Sequence, residues 1–268
     1  MKAPIFSNNW SDEVKILYQH DIQEIWNKKL SPHIWHKYHN QLEYYLDIAG
    51  TGSKKILDVG CAQGTLALLL AERGHHVTAV DLRPEFLEYA RSRYEHGDIK
   101  FIAANVLDTD NSIPGYYDLI FANQLIEHLV YPVQLLMQLK KLLKPNGRLV
   151  ITTPNGNYIK SDLPSYKQLG DPKDWEHKQF TADGDGHFFA YLPDELDSIF
   201  VDASFEEVHT NYFETPFISG HMKIRYFHTF VPLKILRLLD RALLCLPWFR
   251  SRFSHQLMII GLTKDDDQ

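Results

Sequence analysis

From Lys54 onward the chain alternates short apolar runs with amphipathic stretches, a pattern typical of βαβ units on a parallel sheet. The apolar runs predict strands at Lys55–Val59, His76–Val80, Ile99–Ala103, Leu119–Ala122 and Arg148–Thr152. Apolar residues at helical spacing predict intervening helices at Thr65–Arg73, Pro84–Tyr94 and Pro132–Leu143. Because crossovers between parallel strands are right-handed, ligands are expected at the carboxyl ends of the strands.

Further elements flank this core on both sides. Residues 1–50 predict helices, since apolar residues from Val14 to Trp26 recur at helical spacing and a second helix begins after Ser31–Pro32. A helix near Pro193–Val201 and strands at Glu206–Tyr212 and His255–Thr263 are expected to complete the sheet. Residues 153–194 are rich in Pro, Gly, Asp and aromatic residues without clear periodicity, which predicts a long functional loop.

Composition and charge narrow the functional class. The chain has 268 residues, of which 44% are hydrophobic and 23% charged, the profile of a folded globular protein. A formal charge of -6 argues against a nucleic-acid backbone as the main partner and leaves small molecules as the default. The two cysteines, Cys61 and Cys245, are too few for a disulfide framework. With no signal pattern at the N-terminus and no apolar run of spanning length, the expected location is the cytoplasm, or at most a membrane surface.

Residues 217–252, between the last two predicted strands, are an unusually basic insertion. They contain seven Lys and Arg residues against one acidic residue, Asp240. Lys234, Arg237 and Arg241 recur at helical spacing among leucines, which suits a helix that lies on an anionic bilayer or docks a partner. The alternative, which we favour from the sequence, is a cap helix packed on the same chain.

The segment from Ile56 to Leu66 carries the strongest chemical signal. An apolar strand, a turn with Gly60 and Gly64, and a helix follow one another, so main-chain N–H groups and the helix dipole can face a polar ligand. Asp81, at the end of the second strand, is placed to accept hydrogen bonds from ribose hydroxyls. Ala62 stands where a dinucleotide fingerprint needs glycine, which disfavours a nucleotide-dependent oxidoreductase. Asp58 would repel pyrophosphate but favours a cationic amino group, as in S-adenosylmethionine.

Several motifs occur together in a fixed order. They are Asp58-Val59-Gly60-Cys61-Ala62-Gln63-Gly64, Val80-Asp81, Ala104-Asn105-Val106, Asp118-Leu119-Ile120-Phe121-Ala122-Asn123, Ile126-Glu127-His128-Leu129, Leu143-Lys144-Pro145-Asn146-Gly147 and Thr153-Pro154-Asn155. Over residues 54–156 the chain thereby resembles the class I S-adenosylmethionine-dependent methyltransferases, in particular the group with ubiquinone-type O-methyltransferases and sugar methyltransferases. The resemblance implies a Rossmann-like fold, with a mostly parallel seven-stranded sheet, helices on both faces and a helical insertion (217–252) before the last strand. It further implies a helical lid at 1–50 and a methyltransferase domain at 51–268.

The resemblance also assigns cofactor-binding roles. The turn with Gly60 and Gly64 would lie beside the methionine part of S-adenosylmethionine, with Asp58 near its amino group. Asp81 would hold the ribose and Leu82 would lie on the adenine. Asn105 stands where the family usually has Asp, and its amide oxygen can still accept from the adenine amino group. The set is completed by Asn123, Val106 and Cys61, the last expected to be a small packed residue rather than a nucleophile.

For the acceptor, the same resemblance implies a hydroxyl of a natural product, a quinone-like ring or a sugar. Because the sulfonium methyl is already activated, positioning dominates, and a histidine base helps a hydroxyl acceptor. The candidates are His128 and His187, although His128 could instead pack near the cofactor. A metal site formed by Glu127, His128, His177 and His187 is disfavoured because they lack the spacing of helical metal ligands, so no metal is expected.

Aromatic residues suggest where the acceptor binds. Tyr18 is a candidate for the lid, and Trp175, His177, Phe188 and Tyr191 are candidates for lining an acceptor pocket. The alternative for all of them is packing. Two other functions stay open at this point: methylation of an amine, and a nucleoside-binding factor that acts through the basic insertion without catalysis.

Overall fold

The structure, a computed structural model, describes residues 1–108, 113–179, 187 and 189–264. Its strands are β1 (Lys55–Val59), β2 (His76–Asp81), β3 (Asp98–Ala103), β4 (Tyr117–Asn123), β5 (Leu143–Pro154), β6 (Glu206–Phe213) and β7 (Gln256–Leu262). Its α-helices are α1 (Asp12–Asp21), α2 (Pro32–Ala49), α3 (Thr65–Glu72), α4 (Pro84–Arg93), α5 (Pro132–Leu142), α6 (Pro193–Asp202), α7 (Pro216–Ser219), α8 (Leu233–Leu244) and α9 (Pro247–Phe253).

The strands form one seven-stranded sheet in the order β3-β2-β1-β4-β5-β7-β6. Strand β7 runs antiparallel to both β5 and β6, whereas β1, β2 and β3 are parallel to one another, as are β4 and β5. The predicted fold is therefore confirmed, including the helical extension before β1 and the helical insertion between β6 and β7. No helix among the described residues is both long enough and apolar enough to traverse a bilayer.

The chain divides into two compact units. The first comprises Met1–Asp108 and Pro216–Ala242, and it holds β1 to β3 with α1 to α4. The second comprises Thr109–Thr215 and Leu243–Gln268, and it holds β4 to β7 with α5 and α6. The candidate cofactor residues from Asp58 to Val106 belong to the first unit, and Asn123 with the two candidate bases belongs to the second.

The first unit packs its N-terminal helix onto α4. Val14 and Leu17 of α1 bury their side chains against Phe86 and Tyr89, and Ala62 of the glycine turn packs on the same cluster. After Asp21 the helix continues as a π-helical turn, Ile22–Trp26, in which the N–H of Asn27 donates to the carbonyl of Ile22. This wider turn carries Glu24 and Ile25 into the interior.

Two stretches differ from the sequence-based prediction. Strand β5 begins at Leu143 rather than Arg148. Asn146 adopts a left-handed backbone with φ 59°, and the chain pairs with β4 both before and after this residue. The described part of residues 153–194 contains 3-10 helices at Tyr166–Leu169 and Pro172–Lys178, with a bridge between Asn155 and Tyr191. Such short 3-10 helices leave no apolar period of 3.6 residues in a sequence, so they could not be predicted from it.

Candidate active site

The glycine turn connects β1 to α3 and is bound to the end of β2. The N–H groups of Gly60 and Cys61 both donate to the carbonyl oxygen of Val80, at 2.8 and 3.1 Å. Gly60 and Gly64 have left-handed backbones, with φ of 68° and 72°. A Cβ on Gly64 would come within 2.7 Å of the Cβ of Ala90, so this glycine is required both by its conformation and by close packing on α4.

Asp81 is fixed at the carboxyl end of β2. Its Oδ2 accepts from the N–H of Ala62 at 2.9 Å and its Oδ1 accepts from the N–H of Arg83 at 3.0 Å. A carboxylate offers about four acceptor positions, so each oxygen keeps capacity for one hydroxyl of a vicinal diol. Leu82 follows with 51% of its side chain exposed, which leaves an apolar surface next to the carboxylate.

Asp58, at the end of β1, is a buried acid that holds its proton near neutrality. Burial and the nearby charge of Asp81 raise the pKa of Asp58 to about 7, while a hydrogen bond from the N–H of Ala67 lowers it. A cationic group brought next to this carboxyl would favour its ionised form. The pair Asp58 and Asp81 therefore suits a ligand that carries both a diol and an ammonium group.

The other cofactor candidates make local contacts. Cys61 is buried, and burial raises the pKa of its thiol, as expected for a packed residue. Asn105 accepts from the N–H of Leu107 at 3.1 Å and donates to Asp108 at 3.2 Å, so it shapes the loop after β3. Val106 is half-buried in that loop.

In the second unit, Asn123 ends β4. Its amide oxygen accepts from the hydroxyl of Thr152 on the paired strand at 3.0 Å. The predicted contact between Asn123 and the cofactor involves the backbone of Asn123. The side-chain hydrogen bond to Thr152 does not affect that prediction.

A buried polar network behind the glycine turn escaped sequence analysis. Gln63 donates to the carboxylate of Glu24 at 2.7 Å, and its main-chain carbonyl accepts from Arg93 at 2.6 Å. Arg93 also donates to Thr65, at the start of α3, at 3.0 Å. Both Arg93 and Glu24 come from helical segments whose polar positions look ordinary in the sequence, so no local signal could have found them.

In the second unit, a carboxylate and two imidazoles lie together. Glu127 and His128 belong to a 3-10 helix, Ile126–His128, that directly follows β4. Glu127 is completely buried and its Oε2 accepts from the hydroxyl of Thr153 at 3.1 Å. Its Oε1 lies 3.6 Å from Nε2 of His187, and the rings of His187 and His128 are 5.0 Å apart.

Burial sets the protonation of this cluster. It raises the pKa of Glu127 to about 8, against the lowering effect of hydrogen bonds from its own backbone N–H and from Thr153. Glu127 is thus mostly protonated at neutral pH, and its Oε1, buried without a hydrogen-bond partner among the described residues, faces the imidazole of His187. One ligand atom from each of Glu127, His128 and His187 lies within 4.8 Å of the others, so the three could also hold a metal ion. This arrangement could not be predicted from sequence spacing, because it joins a loop residue to a short helix.

The candidate acceptor-binding residues have different surroundings. The ring of Tyr18 packs at a tilt against Phe6 and Trp10, on the cluster that includes Ala62 of the glycine turn. Trp175 donates from its indole N–H to the carbonyl of Leu169 at 2.8 Å, which anchors its own loop, and His177 is exposed. Phe188 lies outside the described residues.

Tyr191 lies deeper than the other described candidates. It is completely buried, packs on Phe189 and Tyr166, and donates its hydroxyl to the carbonyl of Ile126 at 3.3 Å. This burial agrees with the packing alternative for Tyr191, and its role in lining an acceptor pocket stays a prediction. The hydroxyl of Tyr191 supports the short helix that carries Glu127 and His128.

Comparison with known proteins defines the class. A family model described as "Methyltransferase domain" matches residues 51–204, more than half of the chain. The chain therefore belongs to the methyltransferase domain family and contains a class I S-adenosylmethionine-dependent methyltransferase domain, a family whose cofactor is S-adenosylmethionine.

Individual relatives extend the comparison. The chain is 35% identical over 120 residues to the ubiquinone biosynthesis O-methyltransferase of Xanthomonas euvesicatoria pv. vesicatoria, covering 43% of this chain and 49% of the relative. It is 36% identical over 126 residues to the enzyme of that name from Vibrio parahaemolyticus serotype O3:K6, covering 46% and 53%. The chain thus matches about half the length of these curated relatives.

Solved structures support the fold. One is a SAM-dependent methyltransferase from Archaeoglobus fulgidus, with TM-score 0.56, 18% identity and coverage of 92% of this chain and 99% of that one. Another is phosphoethanolamine N-methyltransferase 2 of Haemonchus contortus in complex with S-adenosyl-L-methionine, with TM-score 0.60, 17% identity and coverage of 96% and 58%. At these identities the likeness establishes the fold alone.

Proposed function

We propose that this methyltransferase transfers the methyl group to a hydroxyl of a small molecule, such as a natural product, a quinone-like ring or a sugar. The cluster of Glu127, His128 and His187 carries the proposal. A hydroxyl is a poor nucleophile until its proton leaves, and a histidine next to a titrating carboxyl can accept that proton. An amine acceptor that is already neutral needs no such group.

The first unit supplies the cofactor site in this proposal. Asp58, once ionised, would pair with the amino group of the methionine part, and Asp81 would accept from the ribose hydroxyls. Leu82 would cover one face of the adenine, and Gly60, Cys61, Gly64, Asn105 and Val106 would form the remaining wall. The fit rests on two buried carboxyls, one of them still protonated near neutrality, beside an exposed leucine. S-adenosylmethionine, when bound there, supplies the activated methyl group.

His187 acts as the base and Glu127 positions it in this proposal. When Glu127 is ionised, Nε2 of His187 carries the hydrogen that faces the carboxylate, and Nδ1 becomes the proton acceptor. When Glu127 is protonated, it can donate to Nε2, and Nδ1 then carries the hydrogen and cannot act as a base. His128 is close enough to contact the same substrate from its neighbouring ring.

The names of the curated relatives support a hydroxyl acceptor for the part of the chain that they match. The curated relatives matched over about half their length are named as ubiquinone biosynthesis O-methyltransferases. A quinone-like phenol is therefore the first acceptor to test. The free cysteines Cys61 and Cys245 agree with the reducing cytoplasm as the place of reaction.

Paired acceptors on a shared skeleton test the proposal. The purified chain is incubated with methyl-labelled S-adenosylmethionine and matched phenols, anilines and sugars, and products are identified by mass. The expected result is transfer to hydroxyls, lost in His187→Ala and strongly reduced in Glu127→Gln. Transfer to amines alone, unaffected by both substitutions, would replace this proposal with N-methylation.

A further inference from the structure

Helix α8 exposes several apolar side chains and contacts the rest of the first unit partly through polar side chains. Leu236 and Asp240 are its buried residues, and Arg237 reaches inward, where its Nε donates to Asn40 at 3.0 Å and its guanidinium pairs with Glu43 on α2. Polar groups thus attach the helix to the rest of the first unit. Leu236 packs inward, whereas other apolar side chains of the helix lie on its opposite side.

That opposite side is exposed and apolar. Ile235, Leu238 and Leu239 are exposed, with 68% of Leu238 accessible. At 100° per residue these positions fall within an arc of about 100°. Leu238 lies opposite Leu236 and Asp240, whereas Leu239 lies at the border with the buried side. The adjoining 3-10 segment, Ile224–Thr229, and the residue after it add exposed Tyr226, Phe227 and Phe230, the last 70% accessible. We call these six side chains the docking face.

Exposed positive charge accompanies the docking face. Lys223, Arg225, Lys234 and Arg241 are all exposed. Lys234 and Arg241 are seven residues apart on α8 and therefore share one side of the helix, at the edge of the apolar side. Asp240, the single acid in residues 216–244, is buried. Arg237 does not belong to this group because Glu43 neutralises it.

We propose that the docking face binds the surface of an anionic lipid bilayer. Interfacial helices combine an apolar side that enters the acyl boundary with Lys and Arg that reach the headgroups, and aromatic residues favour the same depth. A helix of 12 residues is too short to span and lies in the plane of the interface. The chain as a whole has a formal charge of -6, so an anionic membrane attracts this basic segment and repels the remainder, which fixes the orientation of approach.

A second copy of the chain fits the face less well. In a symmetric dimer the same surface meets itself, so Lys234 and Arg241 of one copy would lie opposite those of the other. Opposed like charges raise the free energy of such a contact, whereas anionic headgroups neutralise them. The proposal does not depend on the methyl acceptor, since it concerns binding alone.

Vesicle flotation of the full chain tests the proposal. The probes are vesicles of phosphatidylcholine alone and vesicles with 30 mol% phosphatidylglycerol, at low and physiological salt. We expect flotation with the anionic vesicles only, weakened by salt. Lys234→Glu/Arg241→Glu should weaken binding by about tenfold or more, since each cation near such a surface contributes about fivefold. Leu238→Glu should also prevent binding.

Matched controls separate the face from general charge and hydrophobicity. Lys29→Glu/Lys141→Glu removes two exposed lysines elsewhere, and Val201→Glu replaces an exposed apolar residue on α6. Both controls should float as the unmodified chain does, and every variant should keep its melting temperature. Absence of flotation with anionic vesicles, or equal loss in controls and face variants, overturns the proposal. So does a dimer in light scattering that Leu238→Glu dissociates while no variant changes lipid binding.

Discussion

Arg93 and Asp21 form an ion pair in which neither side chain is exposed, with Nη2 of Arg93 3.0 Å from Oδ1 of Asp21. Tyr89 and Trp26 donate to the other carboxylate oxygen at 2.8 and 3.1 Å. Because Arg93 also donates to Gln63 and Thr65, the pair joins the end of α1 to the glycine turn. The N-terminal extension is therefore bonded to the loop that we assign to the cofactor.

Removing the Arg93 side chain should strongly lower the free energy of unfolding. Arg93→Met leaves the Asp21 carboxylate buried without its partner, and breaking a buried pair in this way destabilises by about 3–5 kcal/mol. Urea unfolding measures the change. Arg91→Met, on the exposed side of the same helix, should lose less than about 1 kcal/mol. The double variant Arg93→Met/Asp21→Asn should lose less free energy of unfolding than the sum of the losses in the two single variants. A loss below 1 kcal/mol in Arg93→Met would show that the pair contributes little.

The glycine turn gives a second prediction with an internal control. Gly64 and Gly74 both have left-handed backbones, but an added Cβ meets Ala90 at 2.7 Å in the first case and nothing within 4 Å in the second. Gly74→Ala should cost about 1–2 kcal/mol of conformational strain. Gly64→Ala should lower the free energy of unfolding by clearly more than Gly74→Ala, because α4 must shift to make room for the Cβ. The same shift should weaken the binding of S-adenosylhomocysteine. Thermal melts and calorimetric titration compare them, and equal effects would contradict the packing argument.

The sequence predicts features that depend on neighbouring residues and not those that depend on contacts between residues far apart along the chain. The strand, glycine turn and helix around Gly60, with Asp81 one strand later, are set by local pattern, and local pattern is visible in a single sequence. Arg93 and Asp21 meet only in the folded chain, and Glu127 and His187 likewise, so spacing carried no information about them. For α8 the periodicity showed an amphipathic helix but not which side faces solvent. The orientation of α8 is fixed by contacts of Arg237 with Glu43 and Asn40 on α2, a helix far away in the sequence.

Cofactor affinity should depend on pH through Asp58. Its pKa of about 7 means that the carboxyl is protonated below neutrality, whereas pairing with an ammonium group requires the ionised form. Affinity for S-adenosylhomocysteine should therefore fall about tenfold per pH unit below pH 7 and level off above it. Titrations between pH 5.5 and 7.5 in buffers of different ionisation enthalpy should show proton release on binding. Asp58→Asn should bind more weakly with no such dependence, and a flat profile in the unmodified chain would remove Asp58 from the site.

Turnover should depend on pH through Glu127 and His187. Because Nδ1 of His187 accepts a proton only when Glu127 is ionised, kcat should rise with pH with an apparent pKa near 8 that belongs to the pair. His187→Ala should lower kcat by roughly 10²–10⁴ with S-adenosylhomocysteine affinity unchanged. Glu127→Gln should lower kcat and remove the inflection near pH 8. The exposed His209→Ala is the control and should behave as the unmodified chain. If kcat keeps its inflection in Glu127→Gln, Glu127 does not position the base.

Chelation distinguishes a proton-carrying cluster from a metal-binding one. Glu127, with a pKa of about 8, is only about one-tenth ionised at pH 7, so a metal ion would have to displace its proton to bind there. We therefore expect dialysis against EDTA to leave both kcat and the melting temperature unchanged at pH 7, and added Mn²⁺ or Zn²⁺ to raise neither. Glu127→Gln removes the one carboxylate of the cluster and is the matched control. A melting temperature that Zn²⁺ raises in the unmodified chain but not in this variant would assign Glu127, His128 and His187 to a metal site. His187 could then no longer be the proton acceptor, because its ring nitrogen would be a ligand.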